Sequence, residues 1–344
     1  MFGKILHVCP DAAPSSGVNC FCSRLNEALC AQGVDSSVVR EYAPRSSPLI
    51  PQPSLLHLHG LWLGVHHQAA VWARQNGVPV VWSTHGMTAP WSMRHKWWKK
   101  LPAWWLYQKR DLQRAAVLHA TSEQEVEWNR KLGLANRQVL VPLGSDLHQS
   151  PGTNPQSPGT KHQAPGTIIL FVGRIYPVKG LMNLVRAAAL LPPPPPAIRF
   201  RIVGPDQAGH RAELEAECAR LGVKNVQFVG EKHGAELDAE YEACDVLALP
   251  SFTENFGGVV VDALAHGKPV IASKFTPWRE LEEKGCGWWV DNAPESLAKT
   301  IAAAAGLPRE RRVEMGEKGR ALVEANFTWQ AVAKSMLACY QSLI

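Results

Sequence analysis

The sequence contains no run of apolar residues close to the ~18–20 that a membrane-spanning helix needs, so no transmembrane segment is predicted. A signal-peptide core is missing too, because Asp11 interrupts the first apolar stretch soon after its start at Ile5. Export from the cell is therefore not expected. These two absences predict a cytoplasmic protein that contacts a membrane, if at all, from its surface.

Paired cysteines are also missing. The eight cysteines include no C-x-x-C set, and Cys20 and Cys22 stand too close together for the usual zinc-knuckle spacing. Scattered cysteines of this kind are typical of reduced, buried thiols in a reducing compartment. We therefore expect neither a disulfide framework nor a metal site.

The glycine motif G-x-G-x-x-G, which binds dinucleotide cofactors, does not follow the first strand, so no cofactor is expected. A zinc finger, an RNP motif and a recognition helix are missing as well. The net charge of +6 and the pI near 8.9 therefore do not predict a nucleic-acid partner. This mild excess of positive charge is better matched to nucleotide phosphates or an anionic lipid surface.

What the sequence does contain is an alternation of short apolar runs and helical patterns, typical of doubly wound α/β domains. With 344 residues, 46% of them hydrophobic, the chain is long enough for two such domains. The runs predicted as buried parallel strands are 5–9, 55–59, 78–83, 117–120 and 139–142 in the first half, and 168–172, 200–203, 226–229, 246–250 and 269–273 in the second.

The alternation stops between residues 150 and 166, where Pro, Gly, Ser and Thr predominate without an apolar period, as in a flexible linker. The sequence thus predicts a first Rossmann-like domain over 1–149, this linker, and a second Rossmann-like domain over 167–325. A final helical segment, 326–344, is expected to be able to pack back on the first domain. A cleft between two such domains is a common place for a ligand.

The densest functional signal follows the strand that ends at Pro250. A loop there carries Glu254, and Gly257 and Gly258 then open an apolar helix. Unpaired backbone N–H groups at a helix start bind phosphate oxygens, and glycine permits their close approach. Glu254 is suited to bind sugar hydroxyls, and Asp262, one turn into the helix, to hold a ribose diol. The alternative is a surface loop and a capped helix with one solvated acid.

The second signal lies where another strand runs into a turn and a helix, with Arg174 and Lys179 at the strand end. Two fixed cations there would hold a diphosphate and stabilise its charge as it leaves. Ordinary solvated surface is the alternative interpretation. In the first half, Ser16 and Gly17 open a helix after the first strand, and such a small-residue loop suits an anionic group.

Two histidines of the first half also stand at strand ends, His59 in Leu-His-Leu-His-Gly and His85 in Ser-Thr-His-Gly. The carboxyl ends of parallel strands point into the crevice of this architecture. That location favours a functional role for both, although an isolated histidine more often has a structural one. His59 and Ser16 are expected on the acceptor or cleft side.

The whole chain resembles a retaining glycosyltransferase of the GT-B fold, in the large family 4 of group 1 glycosyltransferases. The most specific parts are GRIYPVKG at 173–180 and ENFGGVVVDALAHGKPVIAS at 254–273, the latter close to the family's Glu-x7-Glu signature. The resemblance implies two Rossmann-like domains facing a cleft. It also implies metal-independent transfer of a hexosyl-type sugar from a UDP- or GDP-sugar, with retained configuration.

By this resemblance, Glu254 contacts the donor sugar ring and Asp262 stands where the family's second Glu holds the ribose. Arg174 and Lys179 match the pair that binds the donor pyrophosphate and stabilises its departure. Asp262 is one methylene shorter than the family's Glu, so the ribose contact is expected to be lengthened, mediated by water or altered.

The resemblance also implies backbone N–H groups for phosphate and sugar at Phe256, Gly257 and Gly258. Gly17 matches a glycine loop beside the phosphate, although Ser16 stands where many relatives have another glycine. His85 corresponds to the first-domain histidine near the reacting sugar. The nucleotide base is expected near Gly230 and Glu231.

A basic aromatic stretch, residues 91–114, contains five of the 13 tryptophans among seven Lys and Arg residues. Tryptophan and cationic side chains favour the headgroup region of an anionic membrane, where each Lys or Arg adds about 1 kcal/mol. The membrane contacts predicted are Lys96, Lys99, Lys100, Trp97 and Trp98. The alternative is that the tryptophans pack into the core while the cations are merely solvated.

Taken together, these features predict a glycosyltransferase with a nucleotide-sugar donor and a glycan or lipid-linked acceptor. Its expected setting is surface polysaccharide or glycolipid assembly, in the cytoplasm and peripherally on the inner face of the membrane. Two alternatives stay open. One is a GT-B nucleotide-sugar epimerase, and the other is a non-catalytic nucleotide-sugar or glycan-binding relative, favoured only by Asp262.

Overall fold

A computed structural model describes residues 3–10, 17–40, 52–147, 166–191 and 198–344. The chain divides into two compact units, Met1–Gly144 together with Phe327–Ile344, and Ser145–Asn326. Ser16 and residues 150–165 of the predicted linker lie outside the described residues. Within the part of the chain that is described, no helix is both long and apolar enough to cross a bilayer.

The first unit is built on a six-stranded sheet whose neighbouring strands are all parallel. Its strands are β1 (Ile5–Val8), β2 (Ser36–Val39), β3 (Leu55–His59), β4 (Val80–Ser83), β5 (Val117–Ala120) and β6 (Gln138–Leu140), in the spatial order β2-β1-β3-β4-β5-β6. Its helices before the second unit are α1 (Gly17–Ala31), α2 (Gly64–Gln75), α3 (Pro90–Arg94), α4 (Trp97–Ala103), α5 (Lys109–Arg114) and α6 (Glu123–Lys131), with a π-helical turn at Trp104–Gln108.

Both faces of this sheet carry buried apolar side chains, because successive side chains of a strand point to opposite sides and both sides are covered. Leu56, Leu58 and Trp82 lie on one face, in a core cluster with residues of α2 and the π-helical turn. Ile5 and Val81 lie on the other, with residues of α1. Burying each such side chain contributes about 1.5–3 kcal/mol. Coverage of both faces explains why these strands read as apolar runs.

The second unit has the same architecture, again with a six-stranded parallel sheet. Its strands are β7 (Thr167–Val172), β8 (Ile198–Val203), β9 (Val226–Gly230), β10 (Val246–Leu249), β11 (Val270–Ser273) and β12 (Gly287–Val290), in the order β12-β11-β10-β7-β8-β9. Its helices are α7 (Leu181–Leu190), α8 (His210–Leu221), α9 (Ala235–Ala243), α10 (Gly258–Ala265), α11 (Glu280–Glu283), α12 (Pro294–Gly306) and α13 (Arg309–Asn326), with a 3₁₀ turn at Pro177–Lys179.

The last helix, α14 (Trp329–Gln341), packs on α1 of the first unit. Thr328 caps it, with its hydroxyl oxygen accepting a hydrogen bond from the N–H of Ala331 at 3.2 Å. Tyr340 is fully buried, and Trp329 presses against Gly144, where a Cβ would lie 2.6 Å from the indole ring. Glycine at 144 therefore lets the chain pass beneath this tryptophan.

Candidate functional site

In the second unit the candidate site lies where the sheet reverses its winding direction. From β7 the strands run to β8 and β9 on one side, and to β10, β11 and β12 on the other. Open parallel sheets bind ligands outside the carboxyl ends of their strands at such a switch point. The loop after β7 carries Arg174 and Lys179, and the loop after β10 carries Glu254. The sheet order thus brings two separate sequence motifs to one place.

Lys179 and Glu254 form an ion pair at this switch point, with Nζ and Oε1 2.5 Å apart and side chains 18% and 11% exposed. The same carboxylate oxygen accepts a hydrogen bond from the Ser251 hydroxyl at 2.7 Å. The site therefore holds a cation and an acceptor side by side at a mostly buried position. Such a pair is suited to a ligand that carries both phosphate charge and hydroxyl groups.

Close backbone packing fixes the two loops to each other. Gly180 has φ +70°, and a Cβ there would lie only 1.9 Å from the carbonyl oxygen of Pro250. The N–H of Phe252 donates to the carbonyl of Val178 at 2.8 Å. Only glycine fits at 180, so the sequence holds Lys179 rigidly beside the acidic loop.

The start of α10 is equally constrained. Its N-cap, Gly257, has φ +83°, and a Cβ there would lie 3.1 Å from Leu249 and 3.2 Å from the indole nitrogen of Trp278. Phe256 is buried, and its carbonyl accepts a hydrogen bond from that indole N–H at 2.5 Å. Gly258 begins the helix, and the N–H groups of Gly258 and Val259 are available to phosphate oxygens, whereas that of Val260 donates to the Gly257 carbonyl at 2.9 Å.

Arg174 lies on the same loop as Lys179 but is exposed, and its Nη1 donates to Gln207 Oε1 at 3.0 Å. Gly230 ends β9 and is followed by the exposed Glu231. All these residues lie at the carboxyl edge of the sheet. Gly230 and Glu231 are placed further from the switch point than the Lys179 pair, since β9 is the edge strand, whereas Arg174 follows β7 itself.

Asp262, in the second turn of α10, accepts a hydrogen bond on Oδ1 from the Ser145 hydroxyl at 2.7 Å. It also lies near the buried Tyr241, whose pKa is raised well above its usual value by burial and then by the Asp262 charge. The carboxylate that the resemblance assigns to the ribose is therefore bonded within the protein.

In the first unit the switch point falls between β1 and β3. Gly17 begins α1 directly after the β1 loop, and His59 is the last residue of β3. His85 follows β4, the next strand of the sheet. Three of the predicted positions thus share one sheet edge, whereas Ser16 lies outside the described residues.

A directed chain of hydrogen bonds crosses this edge beneath α14. Since a carbonyl can only accept, His119 Nε2–H donates to the Val141 oxygen at 2.8 Å, which makes its Nδ1 the acceptor of the Ser83 hydroxyl at 2.6 Å. Ser83 then accepts from His57 Nε2–H at 2.6 Å, and His57 Nδ1 accepts from the Tyr340 hydroxyl at 2.6 Å. These hydrogen bonds connect α14 to the strands β3, β4 and β5.

A second chain joins His7, His59 and His85. His7 Nδ1 lies 2.9 Å from His59 Nε2, and His59 Nδ1 lies 3.1 Å from His85 Nε2. Burial lowers the pKa of His7 and of His85 to about 3, and lowers that of His59 well below its usual value. All three rings are therefore neutral at physiological pH.

Glu125, near the start of α6, binds the residues on both sides of His85. Its Oε1 accepts from the Thr84 hydroxyl at 2.6 Å and from the Gly86 N–H at 2.5 Å, and its Oε2 accepts from the N–H and hydroxyl of Thr121 at 2.8 and 3.1 Å. His85 itself has φ +49°, which is unusual for a side-chain-bearing residue. Such strain persists only when its surroundings enforce it, and it is concentrated at functional sites.

The described residues contain one group of potential metal ligands, His7, Cys22 and His59, with one ligand atom from each lying within 4.8 Å of the others. All three are buried, and the two histidines are hydrogen-bonded to each other. The spacing of cysteines in the sequence could not predict this group, because its members are brought together by β1, α1 and β3. The absence of a metal stays a prediction.

The basic aromatic stretch presents a cluster of exposed apolar side chains, which we call the tryptophan surface. Their exposed fractions run from 45% to 74%. Its members are Trp97, Trp98, Leu101, Trp105 and Leu106. Trp104, by contrast, is buried in the core, as the alternative interpretation of this stretch expects. Membrane contact by the exposed residues stays a prediction.

Cations surround the tryptophan surface. Lys96 and Lys99 are exposed, and Lys109 Nζ lies 5.5 Å from the centre of a Trp105 ring. Lys100 is placed differently, since it donates to the carbonyl of Ser92 and has its pKa lowered by burial and then by Lys96. Lys100 therefore contributes less to the surface than its neighbours.

Sequence reasoning missed His7, His119, Ser83, Tyr340 and Glu125. Glu125 gave no local signal of its role beside His85, because Thr84 and Gly86 lie in the loop after another strand. The histidines did leave one: they stand at alternate positions of apolar strands, as in Ile-Leu-His-Val, Leu-Leu-His-Leu-His and Val-Leu-His-Ala. Period-2 placement in neighbouring parallel strands puts such residues on one face.

Comparison with known proteins finds two family matches. Residues 154–322 match the family described as "Glycosyl transferases group 1", and residues 39–144 match the "Glycosyl transferase 4-like domain". A curated relative, the D-inositol 3-phosphate glycosyltransferase of Segniliparus rotundus, is 36% identical over 183 residues. That match covers 52% of this chain and 40% of the relative, so the chain spans less than half of the relative's length.

Two solved structures resemble the chain over nearly its whole length. Sucrose-phosphate synthase from Thermosynechococcus elongatus has a TM-score of 0.78 and 23% identity, covering 99% of each chain. Anabaena HepE, solved in complex with UDP and glucose, has a TM-score of 0.77 and 21% identity, covering 99% of this chain and all of the other. These likenesses confirm the predicted α/β fold of the GT-B class.

Proposed function

The chain belongs to the group 1 glycosyltransferases, and on that premise we propose that it transfers a hexosyl-type sugar from a UDP- or GDP-sugar to a glycan or lipid-linked acceptor. The proposed setting is surface polysaccharide or glycolipid assembly on the cytoplasmic face of a membrane. The observation that carries the proposal is the Lys179–Glu254 pair, held at the switch point of the second sheet.

The donor half of the proposal follows from the chemistry around that pair. Lys179 supplies a fixed positive charge, and the first N–H groups of α10 supply hydrogen-bond donors for phosphate oxygens. Glu254 supplies an acceptor for sugar hydroxyls once the donor's diphosphate competes for Lys179. The structural likeness to HepE, solved with UDP and glucose, favours a UDP-sugar among the candidate donors.

The proposed reaction replaces one bond at the anomeric carbon on the same face of the sugar. The bond to the diphosphate oxygen breaks and a bond to the acceptor oxygen forms, while the acceptor's proton passes to the departing diphosphate. Lys179 and Arg174 stabilise the negative charge that develops on that diphosphate. His85 acts on the reacting sugar, and no side chain is assigned the role of nucleophile.

The relatives favour a second class of acceptor. The Segniliparus protein is named for inositol 3-phosphate, which suggests a phosphorylated polyol as an alternative to a glycan or lipid. Product analysis separates the classes, because each acceptor gives a product of different mass. Turnover of the donor sugar without any acceptor product would instead favour an epimerase.

A thermal-shift panel of nucleotide diphosphates and their sugar conjugates is the direct test of donor binding. A ligand at about 100 times its Kd stabilises the folded state by about 2.7 kcal/mol, which raises Tm by roughly 5–10 °C. We expect this from one UDP- or GDP-sugar, and we expect Arg174→Ala to reduce it. Arg311→Ala, an exposed arginine of α13 paired with Glu314, is the matched control. A flat panel would favour a non-catalytic relative.

The tryptophan surface is proposed to bind an anionic lipid surface, because exposed indoles and unpaired positive charge suit its headgroup region. Replacing Lys96 and Lys99 with Glu reverses two charges worth about 1 kcal/mol each, so binding to phosphatidylglycerol vesicles should fall at least about tenfold. Trp98→Ser with Trp105→Ser should weaken binding similarly. Lys131→Glu with Lys334→Glu reverses two exposed charges elsewhere in the first unit and should change little. Equal vesicle co-sedimentation of all variants would contradict the proposal.

A further inference from the structure

His59 lies between His85 and the buried interior and touches both through ring nitrogens. Its Nδ1 is 3.1 Å from His85 Nε2, and its Nε2 is 2.9 Å from His7 Nδ1. Each of these contacts joins two neutral imidazoles and holds one proton. The three histidines therefore have only two possible arrangements of these protons. Either every proton is donated toward His85 or every proton is donated toward His7.

The buried surroundings of His7 decide between these two arrangements. His7 is fully buried, and its Nε2 has no hydrogen-bond partner among the described residues. Donation toward His7 would place a proton on that nitrogen and bury an unpaired N–H group. Donation toward His85 leaves His7 Nε2 unprotonated, as an acceptor. In proteins, buried donors without a partner are rarer than buried acceptors without one. Donation therefore runs from His7 Nδ1 to His59, and from His59 Nδ1 to His85.

We propose that His59 is a positioning residue that fixes both the ring orientation and the tautomer of His85. With Nε2 accepting from His59, the neutral His85 ring carries its proton on Nδ1. His85 then presents a hydrogen-bond donor to its ligand, and it has no free basic nitrogen with which to remove a proton. Glu125 completes the arrangement by binding the Thr84 hydroxyl and the Gly86 N–H, on either side of His85.

This inference rests on the proposed function only for what His85 meets, a hydroxyl oxygen of the donor sugar. The tautomer itself is a property of the protein without substrate. Failure of the proposed function and failure of the inference are therefore separable, because one is measured by sugar transfer and the other by the state of the ring.

The first experiment is ¹⁵N NMR of the histidine side chains in the protein without ligand, with His85 assigned from the loss of its signals in His85→Gln. We expect a protonated Nδ1 and an unprotonated Nε2 at His85 and the same state at His59. His59→Leu should convert the His85 signal to a mixture of tautomers. A protonated Nε2 at His85 in the wild type would overturn the proposal whatever the enzyme transfers.

The second experiment is a double-mutant cycle on sugar transfer. His59→Leu should lower kcat about tenfold, as expected when His85 loses a hydrogen bond worth about 1.4 kcal/mol, with less effect on KM. His59→Asn, whose amide can still donate toward His85, should recover part of the loss. In the His85→Ala background His59→Leu should cost less than about twofold. A full tenfold loss in that background would mean that His59 does not act through His85.

His57→Leu is the matched control, because His57 lies on the same face of β3, is equally buried and bonds to Ser83 and Tyr340 rather than to His85. It should lower Tm, since two buried hydroxyls lose a partner, while kcat per folded molecule stays within about twofold. Equal kcat losses in His57→Leu and His59→Leu would assign the effect to packing and would overturn the positioning role.

Discussion

Lys179→Met should lower kcat/KM for sugar transfer by about 10²–10³-fold while the protein stays folded. Removing one preorganised group that stabilises developing charge costs about that much in other enzymes. Lys179 is mostly buried, and the loop that carries it is held in place by close packing at Gly180. Methionine keeps the length and apolar packing of the stem and removes only the charge.

The control for this substitution is Lys232→Met. Lys232 belongs to the same unit and pairs with Glu236 at 3.0 Å, but it lies in the loop after the edge strand β9. Steady-state kinetics of both variants, with circular dichroism to check folding, should separate loss of a site cation from loss of any ion pair. A change of less than about threefold in Lys179→Met would remove the pair from the proposed mechanism.

Glu254 gives an internal check on the same site. Without Lys179, its carboxylate keeps the Ser251 hydrogen bond but loses the one cation that it contacts among the described residues. If part of the loss came from a displaced Glu254, then Glu254→Gln would cost less in the Lys179→Met background than in the wild type. Additive losses would instead indicate that the two residues serve different parts of the donor.

Most of the fold could be predicted from the sequence, because each buried strand of a two-faced parallel sheet is a short apolar run. The ten predicted strands correspond to ten of the observed ones. The strands β2 and β12 were missed, and both lie at sheet edges. β2 reads Ser-Ser-Val-Val and β12 reads Gly-Trp-Trp-Val, and most residues of each are only partly buried. Edge strands need less apolar sequence, so they leave a weaker pattern.

The candidate site was only partly predictable, because its residues lie far apart along the sequence. Arg174, Lys179, Glu254 and Gly257 sit in loops whose composition signals a strand end, so each could be singled out locally. Their pairing depends on β7 and β10 being neighbours, which no local pattern states. Glu125 is the clearest case, since its contacts beside His85 are with residues of another strand's loop.

Mild acid should unfold the first unit before the second, because the first unit buries a group of neutral histidines. Burial is the main cause that lowers the pKa of each, to about 3 for two of them and about 4 for a third, with smaller contributions from neighbouring imidazoles. At His119 the bond to Val141 and the charge of Glu125 partly oppose this. The members are His7, His57, His59, His66, His85 and His119.

The direction of this change in stability follows from the number of protons that the folded and unfolded states bind. In the unfolded chain these histidines titrate near their ordinary pKa of about 6.5, and in the folded unit only at lower pH. The unfolded state therefore binds more protons below about pH 6.5, so stability is complete above that pH and falls as the pH drops toward the folded pKa values. The five whose pKa is lowered most, His7, His57, His59, His66 and His85, each remove about 1 kcal/mol between about pH 6.5 and 5.5, and together about 5 kcal/mol. A domain is typically stable by about 5–15 kcal/mol, so this loss is decisive.

Hydrogen exchange with mass spectrometry can follow the two units separately over this pH range, after correction for the intrinsic pH dependence of exchange. Peptides that contain β3, β4 and β5 should lose protection between about pH 6 and 5. Peptides that contain β7, β10 and β11 should keep theirs, because those strands contain no histidine. Simultaneous loss in both sheets would mean that the carboxylates of the whole chain, rather than the histidines beneath α14, set its acid limit. Protection retained in β3 to about pH 4 would mean that these histidines already bind protons in the folded unit.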